Sequence, residues 1–172
     1  MKILVAIDES PYSEYAIEQL GAGVWWGDTE FSIVHVVNVP TVRQWEAWGL
    51  DVDWNLREKL LVEGQKLVDD QVGLLKKLVT KGLKVEGKVL ERSADVADVI
   101  VAEAVNSHVD LIVIGSRCRT GIGNFIFGSV ARDVLVKAPC SVEVIKSENA
   151  FDEGKIRKES RSSAHSTTVR SR

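Results

Sequence analysis

The sequence contains few cysteines, no metal-binding pattern and no long apolar segment. Cys118 and Cys140 are the only two cysteines among 172 residues, which excludes a disulfide framework and indicates a reducing compartment. None of the three histidines lies at metal-ligand spacing from a cysteine or another histidine, so we expect no metal site built by the protein. No apolar run approaches the roughly 18 residues that span a bilayer, so we expect no membrane segment.

We expect that the first residues do not form a signal peptide. Their apolar stretch, residues 3–7, is too short, and Asp8 follows it at once. Together with the low cysteine content, this predicts a cytoplasmic protein.

Charge is distributed unevenly along the chain. The net charge is −3, but residues 155–172 contain six Lys or Arg and one acid, so they carry +5 and the rest carries −8. An acidic body argues against nucleic-acid binding by the folded domain. Seven of the last 18 residues are Ser or Thr. We therefore predict a folded domain over residues 1–146 and a disordered Ser- and Arg-rich tail over 147–172.

Short apolar runs alternate with segments of helical periodicity. The runs that predict strands are residues 3–7, 31–39, 85–90, 111–114 and 141–145. Ser10 and Pro11 mark a helix start after the first strand, as N-cap and first helical residue. The pattern predicts an α/β fold with a doubly wound, five-stranded parallel sheet, strand order 3-2-1-4-5, and helices on both faces.

Two features of the sequence lie at the predicted switch point of this sheet. Parallel sheets bind ligands beyond the carboxyl ends of strands where the strand order reverses, here between strands one and four. Asp8 ends the first strand and offers a carboxylate that could accept ribose hydroxyls. Gly115 ends the fourth and is expected to start a loop that permits close backbone approach.

The loop over residues 115–129 contains glycines, two arginines and a helix start at Gly128 and Ser129. Unpaired N–H groups and the helix dipole make such a terminus an anion site. The alternative is that Ser129 only caps its helix and that the glycines only turn the chain. A P-loop is excluded because no GxxxxGK[ST] string occurs, and the dinucleotide fingerprint GxGxxG is absent.

Several blocks of the sequence resemble the universal stress protein family, in that family's order over about residues 1–146. They are ILVAID at residues 3–8, VHVV at 34–37, DLIVIGSR at 110–117, GSVA at 128–131 and APCSV at 138–142. The resemblance implies that Asp8 and the backbone near Ala6 and Val36 hold a nucleoside, while the loop and the helix start surround its phosphates. The implied nucleotide contacts are Ala6, Ile7, Asp8, Val36, Ile114, Gly115, Arg117, Cys118, Gly128, Ser129, Val130 and Ala131.

One position departs from the family's ATP-binding pattern of glycine, two residues, glycine, nine residues, glycine and Ser or Thr. Cys118 stands where the second glycine is expected. A non-glycine residue there costs roughly 1–2 kcal/mol if the backbone must be left-handed, and little if only its N–H contacts phosphate. A thiol between Arg117 and Arg119 could also sense oxidants, although an incidental loop cysteine is the plainer interpretation.

The resemblance implies a stress-response regulatory module that binds ATP, or AMP or another adenine nucleotide, with Mg²⁺. It also implies a homodimer, formed through the last strand from Ser141 to Ile145. Two alternatives stay open: a protein-interaction module that has lost nucleotide binding, and a slow ATPase. Tryptophans in the segment 40–54 could cover the crevice or a partner, but we expect them to pack on the protein's own body.

Overall fold

The computed structural model describes residues 1–47, 49, 51, 53–92, 94–116 and 128–146. The strands are β1 (Lys2–Ile7), β2 (Glu30–Val37), β3 (Lys84–Glu91), β4 (Leu111–Ser116) and β5 (Ser141–Lys146). The helices are α1 (Pro11–Gly21), α2 (Val42–Ala47), α3 (Leu56–Leu78), α4 (Val96–Asn106) and α5 (Ser129–Lys137). The predicted tail over residues 147–172 and Trp48 lie outside the described residues.

The five strands form one parallel sheet in the order β3-β2-β1-β4-β5, which confirms the predicted topology. β1 is central: Ala6 pairs with Val34 of β2 and with Ile114 of β4. Because parallel strands end at the same edge, the carboxyl ends of these three strands lie side by side. The strand order reverses between β1 and β4, at the predicted place.

The two faces of the sheet carry two separate hydrophobic cores. Alternate residues of β1 point to opposite faces, so Val5 belongs to the core under α1 and α3, and Leu4 to the core under α4 and α5. Both side chains are fully buried, and each contributes roughly 1.5–3 kcal/mol of burial free energy. This confirms helices on both faces. None of the helices in the described part is long and apolar enough to cross a bilayer.

Two local predictions about this architecture need correction. β2 ends at Val37 rather than at residue 39, shortly before Pro40, which has no N–H for a strand ladder. The connection expected over residues 40–54 contains the short helix α2, and Trp54 after it is 78% exposed. The expectation that these tryptophans pack on the protein's own body is therefore wrong for Trp54.

Candidate functional site

A cavity of about 440 Å³ opens at the carboxyl ends of β1, β2 and β4. Helices α3, α4 and α5 supply the rest of its wall. The residues that line the cavity are Ala6, Ile7, Asp8, Glu9, Val34, His35, Val36, Val37, Asn38, Leu60, Glu63, Gly64, Val96, Ile100, Ile114, Gly115, Gly128, Ser129, Val130 and Ala131. Its volume is in the range of pockets that hold small ligands and cofactors.

Ten of the twelve predicted contact residues lie on the wall of this one cavity. They are Ala6, Ile7, Asp8, Val36, Ile114, Gly115, Gly128, Ser129, Val130 and Ala131. The other two, Arg117 and Cys118, lie outside the described residues. The tertiary structure thus brings together residues from four separate parts of the sequence, while their contact with a ligand remains a prediction.

Asp8 organises the turn between β1 and α1 as well as lining the cavity. Its Oδ1 accepts hydrogen bonds from the backbone N–H of Ser10 at 3.0 Å and from the Ser13 hydroxyl at 2.8 Å. The Ser10 hydroxyl also donates to Oδ1. Ser10 occupies the predicted N-cap position, although its side chain makes no capping bond to the helix.

Gly115 is required by packing inside the protein. It lies within β4, which continues to Ser116, so the expectation that it starts the loop is wrong. A Cβ at position 115 would stand 2.6 Å from the backbone oxygen of Tyr12 in α1. The absent side chain thus permits the close approach of β4 to the first turn of α1, beside the cavity.

The N-terminus of α5 closes the cavity on the β4 side. Gly128 is the N-cap residue and Ser129 the first helical residue, so the alternative in which the Ser129 side chain caps the helix is wrong. The first N–H groups of a helix have no partner within the helix and carry partial positive charge. Gly128, Ser129, Val130 and Ala131 all line the cavity, so this terminus can receive an anion.

Sequence reasoning missed the wall formed by α3. A Cβ on Gly64 would stand 2.8 Å from Cγ2 of Val37 and 3.1 Å from Cδ2 of His35, so the glycine lets α3 approach the end of β2. A glycine inside a long helix costs roughly 0.5–1 kcal/mol relative to alanine, and this was the available signal.

His35 is a buried histidine on the cavity wall, 7% exposed. Its Nδ1 lies 3.0 Å from the backbone oxygen of Ile7, so the buried ring has a hydrogen-bond partner inside the protein. Its Nε2 lies 3.8 Å from Oε1 of Glu9, whose side chain is 79% exposed at the rim. Glu63 of α3 adds a second carboxylate to the same side of the cavity.

The lining therefore contains groups of both signs. Asp8 and Glu9 after β1 and Glu63 of α3 supply carboxylates, and the N-terminus of α5 supplies partial positive charge. Among the described residues, no group of three or more His, Cys, Asp or Glu is placed to hold a metal ion. The tryptophans Trp45 and Trp54 are not among the residues that line the cavity.

Comparison with known proteins relates this site to one family. The sequence model of the Universal stress protein family matches residues 1–146. A universal stress protein of Methanocaldococcus jannaschii is 34% identical over 121 residues, which are 69% of this chain and 66% of that protein. A universal stress protein of Mycobacterium tuberculosis is 27% identical over 86% of this chain. The matched part makes up only 48% of the length of that relative.

Solved structures agree with the sequence matches. A universal stress protein from Archaeoglobus fulgidus is 28% identical, with a TM-score of 0.65 over 85% of this chain and 98% of that chain. The structure of the Archaeoglobus fulgidus protein in complex with dAMP has a TM-score of 0.58 at the same identity and coverage. On the match over residues 1–146 and the shared sheet topology, this chain belongs to the universal stress protein family.

Proposed function

We propose that this chain binds an adenine nucleotide in the cavity at the carboxyl edge of the sheet and acts as a nucleotide-responsive regulatory module in the cytoplasm. The observation that carries the proposal is the convergence of ten predicted contact residues on one cavity of about 440 Å³. The dAMP complex of the Archaeoglobus fulgidus relative supports an adenine nucleotide as the ligand.

The order of the strands suggests how the nucleotide lies. The phosphates belong at the N-terminus of α5, on the β4 side, where Ser129 can donate to them. Asp8, directly after the central strand β1, is the acceptor for ribose hydroxyls, and the backbone of Val36 on β2 faces the base. The family resemblance implies that Arg117 and Cys118 lie near the phosphates as well.

ATP with Mg²⁺ is the form of ligand that the family resemblance favours. Because the described residues offer no cluster of metal ligands, the ion would enter with the nucleotide and be held mainly by its phosphates. Cys118 supports a second candidate, an interaction module without nucleotide, since it replaces a glycine of the ATP-binding pattern.

We also propose a homodimer formed through β5. Strand β5 is one edge of the sheet, and its Val142 and Val144 are only half-buried. The opposite edge, β3, has four charged residues among eight, against two among six on β5, and charged side chains discourage pairing of edge strands. Light scattering should give a dimer mass for the native protein and a monomer mass for Val144→Lys, while Lys88→Glu stays dimeric. A monomeric native protein would overturn this part of the proposal.

Calorimetric titration with AMP and with Mg²⁺-ATP tests the nucleotide site, after any copurified nucleotide has been stripped. The decisive variant is Ser129→Asp. A carboxylate in the first turn of α5 suits the helix dipole, so the fold is retained, but it repels phosphate. We expect a loss of affinity of at least about tenfold, because a like charge is brought against the ligand's phosphates.

The matched control is Ser129→Asn, which has a similar size and no charge and should bind far more tightly than Ser129→Asp. Binding by Cys118→Gly but not by the native protein would assign the chain to the nucleotide-free candidate. If neither protein binds any adenine nucleotide while both are folded by circular dichroism, the nucleotide proposal is wrong.

A further inference from the structure

We propose that His35 and Glu9 form an acceptor pair that recognises the exocyclic amino group of the base, and so select an amino-bearing purine. The inference rests on the proposed nucleotide site and adds the residues that set its base preference. It is carried by two contacts, from His35 to Ile7 and from His35 to Glu9.

The first contact defines which ring nitrogen of His35 carries the hydrogen. Nδ1 lies 3.0 Å from the backbone carbonyl oxygen of Ile7. A carbonyl oxygen can only accept, so Nδ1 is the donor. In the neutral imidazole the other nitrogen, Nε2, is then an acceptor. The contact also fixes the orientation of the ring, because it joins the His35 side chain on β2 to the Ile7 backbone at the end of β1.

The second contact places another acceptor opposite Nε2. Oε1 of Glu9 lies 3.8 Å away, and a carboxylate oxygen has no hydrogen to donate. With the imidazole neutral, neither atom has a hydrogen to donate to the other, and a group that donates two hydrogens is the natural occupant between them. No lysine or arginine is among the described residues that line the cavity, so no cation of the lining neutralises the pair.

A primary amino group meets this requirement, and a ribose hydroxyl does not, because a hydroxyl donates only one hydrogen. Two acceptors bonded to one planar amino group stand about 5 Å apart at ordinary hydrogen-bond lengths. Glu9 therefore swings outward by roughly an ångström when the ligand binds, which its 79% exposed side chain permits. A water molecule, which also donates two hydrogens, fits the same place in the ligand-free protein.

The position of His35 and Glu9 in the cavity indicates that the amino group they bind is the one on the base. β2 and β4 flank β1 on opposite sides, and neighbouring strands are about 4.8 Å apart. Phosphate at the N-terminus of α5 and ribose at Asp8 direct the base toward β2, about 10 Å from β4. His35 lies there, beside Val36 and under Gly64 of α3.

The test compares AMP with purine riboside 5′-monophosphate, which has hydrogen in place of the amino group and is otherwise identical. Calorimetry should show that the native protein prefers AMP by about tenfold, the value of one or two buried hydrogen bonds. Glu9→Ala and His35→Asn should each reduce the preference severalfold, and the double variant should bind both ligands about equally. Asn retains a donor near the position of Nδ1 but provides no acceptor at the position of Nε2.

The ratio of the two affinities separates recognition from a structural effect. A merely structural role of His35 would weaken both ligands alike and leave the ratio unchanged. Glu18→Ala, on the exposed side of α1, removes the same charge away from the cavity and should keep the native ratio. Glu9 is exposed, so Glu9→Ala tests the pair even if His35→Asn fails to fold.

A native ratio near one, or a ratio that both single variants leave unchanged while binding persists, would overturn the inference. If the native protein binds neither ligand, the nucleotide site itself is wrong, which is a different outcome from a site that binds without preference.

Discussion

Ser13 and Asp8 exchange two hydrogen bonds across the start of α1. The Ser13 hydroxyl accepts the backbone N–H of Asp8 at 2.8 Å and donates to Oδ1 of the Asp8 carboxylate at 2.8 Å. Ser13 is 4% exposed, so both bonds are shielded from water. The exchange joins the end of β1 to the first turn of α1 and holds the Asp8 carboxylate at the cavity wall.

Ser13→Ala removes this exchange and leaves the Asp8 N–H without its acceptor. We expect the free energy of unfolding to fall by about 1–3 kcal/mol, the cost of a buried polar group that loses its partner. Nucleotide affinity should fall as well, because Asp8 loses its positioning. Urea denaturation measures the first effect and calorimetry the second.

Ser10→Ala is the comparison for that experiment. The backbone N–H of Ser10 still donates to Asp8 in this variant, so the loss of stability should be smaller than for Ser13→Ala. Equal stability of Ser13→Ala and the native protein would show that the exchange contributes nothing.

Gly115→Ala should destabilise the fold because the added methyl group meets backbone, which cannot rotate away. The Cβ would lie 2.6 Å from the oxygen and 2.9 Å from the carbonyl carbon of Tyr12. Overpacking of this kind costs about 1–3 kcal/mol, measured by thermal or urea denaturation. Gly73→Ala in α3 is the matched control: nothing lies within 4 Å of its Cβ, so it should stabilise by roughly 0.5–1 kcal/mol. Equal effects of the two changes would contradict the packing argument.

His108→Gly should stabilise the C-terminus of α4. His108 has a φ of 54°, and the turn closes by bonds from its N–H to Val105 and from the Val109 N–H to Ala104. This is a Schellman motif, which favours glycine at the left-handed position. Since a left-handed residue other than glycine costs roughly 1–2 kcal/mol, we expect a gain of about 1 kcal/mol in unfolding free energy.

His108→Ala retains the left-handed strain and should give no such gain. A stabilisation equal to that of His108→Gly would mean that the imidazole, and not the backbone, is responsible for the effect. Both variants are compared by urea denaturation.

Cys140 should react slowly with alkylating reagents in the folded protein. It is a free thiol, half-buried beside the core under α4 and α5. Burial raises the pKa of the Cys140 thiol and is the largest effect; a hydrogen bond from the Ile112 backbone opposes it, and the charge of Asp110 adds a smaller rise. A raised pKa means less thiolate at any pH below it, so the alkylation rate falls.

The rate of iodoacetamide labelling against pH checks this in the Cys118→Ser variant, which leaves Cys140 as its one thiol. The folded protein should show a midpoint at higher pH than the same variant in guanidinium chloride. A folded midpoint at or below the unfolded one would contradict the effect of burial.

Much of the fold was predictable from local patterns. The runs of branched apolar residues at 3–7 and 111–114 are buried on both faces, and such runs are typical of parallel strands covered by helices. The position of Asp8 after one run and of Gly115 at the end of another then placed the site at the switch point. Both residues line the observed cavity.

Finer assignments failed where several local partners compete for one group. Ser10 has the right position for a cap, but its hydroxyl bonds Asp8, two residues back, instead of the helix. The pattern that suggested a cap is equally compatible with this turn. Gly115 was expected to start a loop that permits close backbone approach, whereas it lies within β4 and the group that approaches it is the carbonyl of Tyr12, which no local pattern reveals.

The fold class, the strand order and the position of the cavity were predictable, because strand periodicity, helix signals and the rule for parallel sheets depend on neighbouring residues and connectivity. The shape of the cavity and the approach of His35 to Glu9 come from packing between segments that are distant in the sequence. Those residues belong to different elements, and their 3.8 Å separation follows from the register of β2 on β1. Gly64 shapes the wall for the same reason, since the approach of α3 to β2 depends on packing between distant segments.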